Sequence, residues 1–140
     1  MKYICLLLPM VLVACGGISE ISHQEEVMTE SRLPLIDPRG GQLCVFRVYN
    51  LTGSMVAYSI KADDEYIGRL SNDSYFCVNL TPGEYVINGD TTHFGSQRVA
   101  AEVKIKQGMR KFMELQVGYS SVLSNQTQSI GLAGIYSVMN

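Results

Sequence analysis

One histidine, one acid and one serine are the side chains here that hydrolytic chemistry would use. His93 sits in "GDTTHFGS", three residues after Asp90, and Ser120 sits in "VGYSSV". A nucleophilic serine needs a base within hydrogen-bond reach and a third group to orient that base. The stretch around Ser120 lacks the second glycine of a nucleophile elbow. His93 is the one histidine after residue 40, so a triad would have to come from distant loops. The simpler expectation is a loop histidine, packed or solvated, and no catalytic residue. A metal centre needs three or four ligands, and one loop histidine does not assemble them. Asp63-Asp64-Glu65 gathers carboxylates, but adjacent charges in a turn are ordinarily solvated. No phosphate loop, CxxC or dinucleotide fingerprint is present, so neither a cofactor nor a metal is expected. Tyr49, Tyr58, Tyr66 and Tyr119 would serve a small-ligand or glycan site only by converging on one face.

Charge narrows the classes further. Charged residues make up 17% of the 140 residues and the formal net charge is −2. Without a basic surplus to neutralise phosphates, nucleic acid is not an expected partner. The chain length suits one domain.

The elements that would position these residues begin after an unusual N-terminus. Lys2 is followed by an apolar run from Ile4 to Ala14. A transmembrane helix takes about 20 apolar residues, so this run is too short to span and has the form of a signal-peptide core. It ends in Leu12-Val13-Ala14-Cys15 followed by Gly16-Gly17. That ending resembles the lipobox of bacterial lipoproteins. The resemblance implies lipidation of the Cys15 sulfur, cleavage before Cys15 and acylation of the new N-terminus. Residues 1–14 would then be a lipoprotein signal peptide. Several fatty chains on one residue anchor stably where a single chain binds marginally. In enterobacterial lipoproteins an Asp after the cysteine favours the inner membrane. Gly16 stands there, which points to the outer membrane, facing the periplasm.

Residues 15–40 read as a flexible tether. Glu20, Glu25, Glu26, Glu30 and Asp37 oppose Arg32 and Arg39, Pro34 and Pro38 disfavour helix, and apolar residues show no period. His23 lies in this stretch and is expected to be solvated. A coil of that length spans roughly 25–30 Å.

From residue 41 to 140 the pattern is strands punctuated by turns. "QLCVFRVYN" places Cys44, Phe46 and Val48 on one face and Arg47 and Tyr49 on the other. "VAYSIKA", "EYIGRL", "YFCVNL", "YVING", "RVAAEVKI" and "RKFMELQV" follow, and "SIGLAGIYSVM" is expected as an eighth strand. Asp63-Asp64 is a two-residue turn. Pro82-Gly83 is expected to form a type II turn, Pro presetting φ and Gly taking the positive φ. Seven to eight short antiparallel strands predict an all-β fold, a single β-sandwich.

"GSMVAYSIKADDEYIGRLSNDSYFCVNLTPGEYVI" is similar to a bacterial lipoprotein domain, domain-of-unknown-function family 2846. The matching residues are Ile67, Gly68, Leu70, Ser74, Tyr75, Phe76, Leu80, Pro82 and Gly83, within a resemblance covering roughly residues 42–117. That family often carries Asp-Gly where this chain has Asp63-Asp64. The resemblance implies a sandwich related to surface-layer and transthyretin-like β modules and no activity; the expected fold is a transthyretin-like or immunoglobulin-like sandwich.

Setting aside Cys5 and Cys15 leaves Cys44 and Cys77. An even pair in an oxidising compartment invites a disulfide. Parity opposes it, because Cys44 shares its face with Phe46 while Cys77 lies on the face opposite Phe76 and Val78. The sequence leaves both outcomes open. Asn50, Asn72, Asn79 and Asn125 each begin an N-x-S/T triplet, which the lipobox makes incidental. No charged side chain occurs from Leu115 to Asn140. That segment is either a loop and strand tucked into the sandwich or an edge that meets a partner. The expectation is an outer-membrane lipoprotein whose sandwich acts without catalysis in an envelope assembly, with the membrane and an envelope protein as partners. The rivals are a small-ligand or glycan binder and a hydrolase using His93.

Overall fold

Eight strands divide between two sheets in the computed structural model, which describes residues 30–91, 98–118 and 121–140. The strands are β1 (Gly41–Arg47), β2 (Tyr58–Ala62), β3 (Glu65–Leu70), β4 (Ser74–Leu80), β5 (Gly83–Thr91), β6 (Arg98–Ile105), β7 (Arg110–Gln116) and β8 (Val122–Gln126). A helix, α1 (Gln128–Met139), follows. The first sheet runs β4-β1-β7-β8 and the second β3-β2-β5-β6. Alternation drives this arrangement. Leu43 and Val45 of β1, Ile60 of β2, Ile87 of β5, Val103 of β6 and Met113 of β7 point between the sheets into one core. The fold is the all-β sandwich that the strand pattern predicts.

Two expectations about the strands are corrected. The pairs are not all antiparallel: β1 runs parallel to β7, with Gln42 opposite Arg110 and Phe46 opposite Glu114. The stretch "SIGLAGIYSVM" is not a strand; the eighth strand is Val122–Gln126, and the later residues form α1. The helix exists because of what it covers. Leu132 and Ile135 pack with Cys44, Phe46 and Phe112 on the outer face of the first sheet, making a second core. A Cβ at Gly131 would overlap the Phe112 ring, and one at Gly134 the Phe46 ring. The two glycines therefore let the helix backbone rest on two aromatic rings. Twelve residues with two glycines make a poor helix in isolation, so tertiary packing supplies its stability.

Asp63 and Asp64 form the β2–β3 turn, both with positive φ (45° and 71°), as a type I′ hairpin turn requires. The Asp63 carboxylate accepts a bond from the Val86 amide at 2.7 Å, tying the turn to β5. The type II turn expected at Pro82-Gly83 does not form. Gly83 is absent from the positive-φ residues and begins β5. The reason is topological, because β4 and β5 belong to different sheets and the chain must step across the sandwich rather than reverse.

The expected tether also ends earlier than Gly40. Leu33 is buried in the second core. The buried Gln42 side chain donates to the Pro34 and Leu35 carbonyls at 3.1 and 3.3 Å. Arg110 donates to Gln42 Oε1 at 2.6 Å and to the Pro34 carbonyl at 2.7 Å. Residues 33–40 are therefore stitched to the domain.

Candidate functional site

The residues on which the catalytic readings rest lie mostly outside those described. His93, Tyr119 and Ser120 lie outside them, as does Cys15. Asp90, the acid nearest His93 in sequence, is engaged elsewhere. Its carboxylate accepts from Arg98 Nε at 3.0 Å and pairs with Lys61 Nζ at 3.5 Å. Asp63 serves the turn described above, and Asp64 and Glu65 are exposed beside it. No group of three His, Cys, Asp or Glu among the described residues is placed to hold a metal ion.

Of the four candidate tyrosines, the described Tyr49, Tyr58 and Tyr66 lie on different elements. Tyr58 is buried between the sheets, its hydroxyl 2.7 Å from Ser121 Oγ. Tyr66 is exposed on β3, and Tyr49 is exposed at the far end of β1 beside the loop that follows it. Tyr49 lines a shallow groove of about 380 Å³ shared with Asn50, Glu114, Gln116 and Val122.

Cys44 and Cys77 are joined by a disulfide. They are cross-strand partners on β1 and β4, in register with Phe46↔Tyr75 and Gln42↔Asn79. The parity objection fails because β1 is buried on both faces. Phe46 marks the second core beneath α1, not the core between the sheets. Cys44 and Cys77 therefore share the helix-covered face, while Phe76 and Val78 face the other core.

Arg47 is a residue that strand alternation misses. It shares a β1 face with Leu43 and Val45 and is 1% exposed. Its guanidinium donates to the Val56 carbonyl at 2.7 Å and the Gly53 carbonyl at 2.8 Å. Its Nε has no hydrogen-bond partner among the described residues. Burial pushes its pKa down, against a smaller opposing effect of Tyr58. Arg47 thus closes one end of the sandwich by gripping the loop over residues 48–57. That loop presents Leu51 and Met55 to solvent, Met55 at 96% exposure. No sequence signal distinguishes such an arginine from an ordinary outward-facing one.

A depression of about 480 Å³ lies along β5 and β6, lined by Glu84, Tyr85, Val86, Glu102, Val103 and Lys104. Lys104 donates to Glu84 there at 2.9 Å, which holds the Glu84 carboxyl below the usual carboxylate range. No protein-family model matches the chain, and no curated protein does. No helix among the described residues is long and apolar enough to cross a membrane.

Proposed function

We propose that this chain is a bacterial lipoprotein, lipidated at Cys15, that holds a β-sandwich against the periplasmic side of the outer membrane. There it works without catalysis, as a binding or structural module of the cell envelope. The sequence Leu12-Val13-Ala14-Cys15 at the end of an apolar run carries this reading. The Cys44–Cys77 disulfide supports it, because disulfides persist in oxidising compartments such as the periplasm. The engagement of Asp90 in ion pairs and the scattering of Tyr49, Tyr58 and Tyr66 favour it over the hydrolase and glycan-binding readings. The likeness to domain-of-unknown-function family 2846 belongs to the same proposal and rests on its quoted residues alone. Because residues 33–40 belong to the folded unit, the stretch between anchor and domain is shorter than the sequence pattern implies.

Radiolabelled palmitate fed to cells expressing the chain tests the anchor. The expected result is label on the wild type, none on Cys15→Ser, and co-fractionation of the labelled protein with outer membrane. An unlabelled chain, or equal labelling of the variant, refutes it.

A further inference from the structure

The four edge strands of the sandwich differ in charge. In the second sheet, β3 carries Glu65 and Arg69, and β6 carries Arg98, Glu102 and Lys104. Charges of this kind guard a strand edge against pairing with another chain. In the first sheet neither β4 ("SYFCVNL") nor β8 ("VLSNQ") has a charged residue. Strand β4 is the longer of the two, and the disulfide holds it to β1.

The backbone of β4 can be oriented. The Cα atoms of Cys44 and Cys77 are 4.1 Å apart. In antiparallel sheets such closeness marks a non-hydrogen-bonded pair, whereas hydrogen-bonded pairs lie about 5.5 Å apart. The amides and carbonyls of Cys77 therefore point away from β1, and by alternation so do those of Tyr75 and Asn79. No backbone hydrogen bond reaches these outward groups among the described residues. Phe76, Val78 and Leu80 of the same strand are only partly buried against the main core.

We infer that the β4 edge is a dimerisation surface, on which a second copy of this chain lays its own β4 antiparallel about a two-fold axis at Cys77. In that register Tyr75 meets Asn79 of the second copy, Cys77 meets Cys77, and Asn79 meets Tyr75. All three outward pairs then match, giving about six hydrogen bonds. No like charges come face to face, which symmetric pairing of β3 or β6 would not ensure. The two first sheets become one continuous sheet. Helix α1 lies over β7, β1 and β4. Two such helices would run about three strand spacings, or about 14 Å, apart, wider than the roughly 10–12 Å diameter of a helix, so they flank the seam without clashing. Helix α1 has no charged residue to oppose that approach. The inference is independent of where the protein resides.

Sedimentation velocity of the full chain in detergent, across a concentration series, tests it together with hydrogen exchange. The expected species is a dimer that dissociates on dilution. The Tyr75, Cys77 and Asn79 amides should be protected in the dimer and exchange quickly in the monomer. Asn79→Lys places a charge on the edge and should weaken the dimer by about tenfold or more, while Asn79→Gln should leave it within about twofold. Asn79→Lys also removes the bond that Gln42 donates to Asn79 Oδ1 at 3.2 Å, while Gln42 keeps its bonds to Pro34 and Leu35. If Asn79→Lys does not fold, exchange in the parent protein decides. A monomer at every concentration overturns the inference. So does a dimer whose edge amides exchange as fast as the monomer's. Edge amides protected only on adding a strand-forming peptide would assign the edge to a different protein and overturn it as well.

Discussion

Reduction of the Cys44–Cys77 bond should remove a large share of the stability of the domain. The bond closes a loop of 33 residues' separation. Opening that loop returns about 12.5 cal/mol/K of chain entropy to the unfolded state, which is about 3.7 kcal/mol at 25 °C. A domain of this size is stable by roughly 5–15 kcal/mol in total, so the effect is easily measured. Reduction is a cleaner perturbation than a Cys→Ala pair, because Cys44 is fully buried and truncation would add a cavity. The protein would be reduced in urea, refolded under reductant, and shown by alkylation and mass to carry both thiols. Urea titration followed by circular dichroism then compares the two forms. With a slope of about 1.2 kcal/mol/M, the midpoint should fall by about 3 M. The slope itself should rise, since an uncrosslinked chain exposes more surface on unfolding. A midpoint shift under about 1 M with an unchanged slope would refute the loop-closure argument.

Gly134→Ala reverses a familiar sign. In an open helix the change gains about 1 kcal/mol, but here the new methyl meets the Phe46 ring, and overpacking should make it a net loss of about 1–2 kcal/mol in a denaturant titration. Arg47→Met removes both donors to the Gly53 and Val56 carbonyls. It should cost about 2–4 kcal/mol and make residues 48–57 a site of early proteolysis, read by limited digestion and mass spectrometry. Glu84→Gln tests the exposed pair with Lys104. Because the Glu84 carboxyl titrates below its ordinary range in the folded protein, the pair stabilises above the unfolded-state pKa and loses its effect as pH falls through the folded one. The variant should therefore melt slightly lower than the parent at neutral pH and together with it in strong acid.

Local chemistry made much of the fold legible. Period-two alternation in "RVAAEVKI" and "YSIKA" marks real strands with the correct faces inward. Asp63-Asp64 reads as a turn because short polar side chains accept positive φ. The failures share a cause: the second core. A strand covered on both faces no longer signals which side is interior, so Phe46 was a misleading guide to where Cys44 points. The helix over that strand is hard to foresee, because its two glycines lower helix propensity and their purpose is visible only against Phe46 and Phe112. Leu33 looks like an isolated apolar residue in an acidic stretch until Leu132 and Ile135, a hundred positions later, are beside it. Arg47 was equally opaque, since its partners are main-chain carbonyls that carry no sequence signature. The site readings built on His93, Ser120 and Cys15 concern residues outside those described.

The parallel pairing of β1 with β7 has a consequence for synthesis. Gln42 meets its neighbour Arg110 only after 68 further residues, and β4 on its other side closes over it earlier. Every residue of β1 is buried in the finished domain. While the ribosome is still short of Arg110, β1 is therefore an apolar ribbon lacking one flank, and while it is short of Gln128 the strand also lacks its helical cover. The second sheet draws all four of its strands from residues 58–105, but the first cannot close until β7 is made, since contacts so distant in sequence must wait for most of the chain. A chain cut short before Arg110 would therefore leave β1 with an open apolar edge prone to aggregation, and residues 110–139 are what cover it.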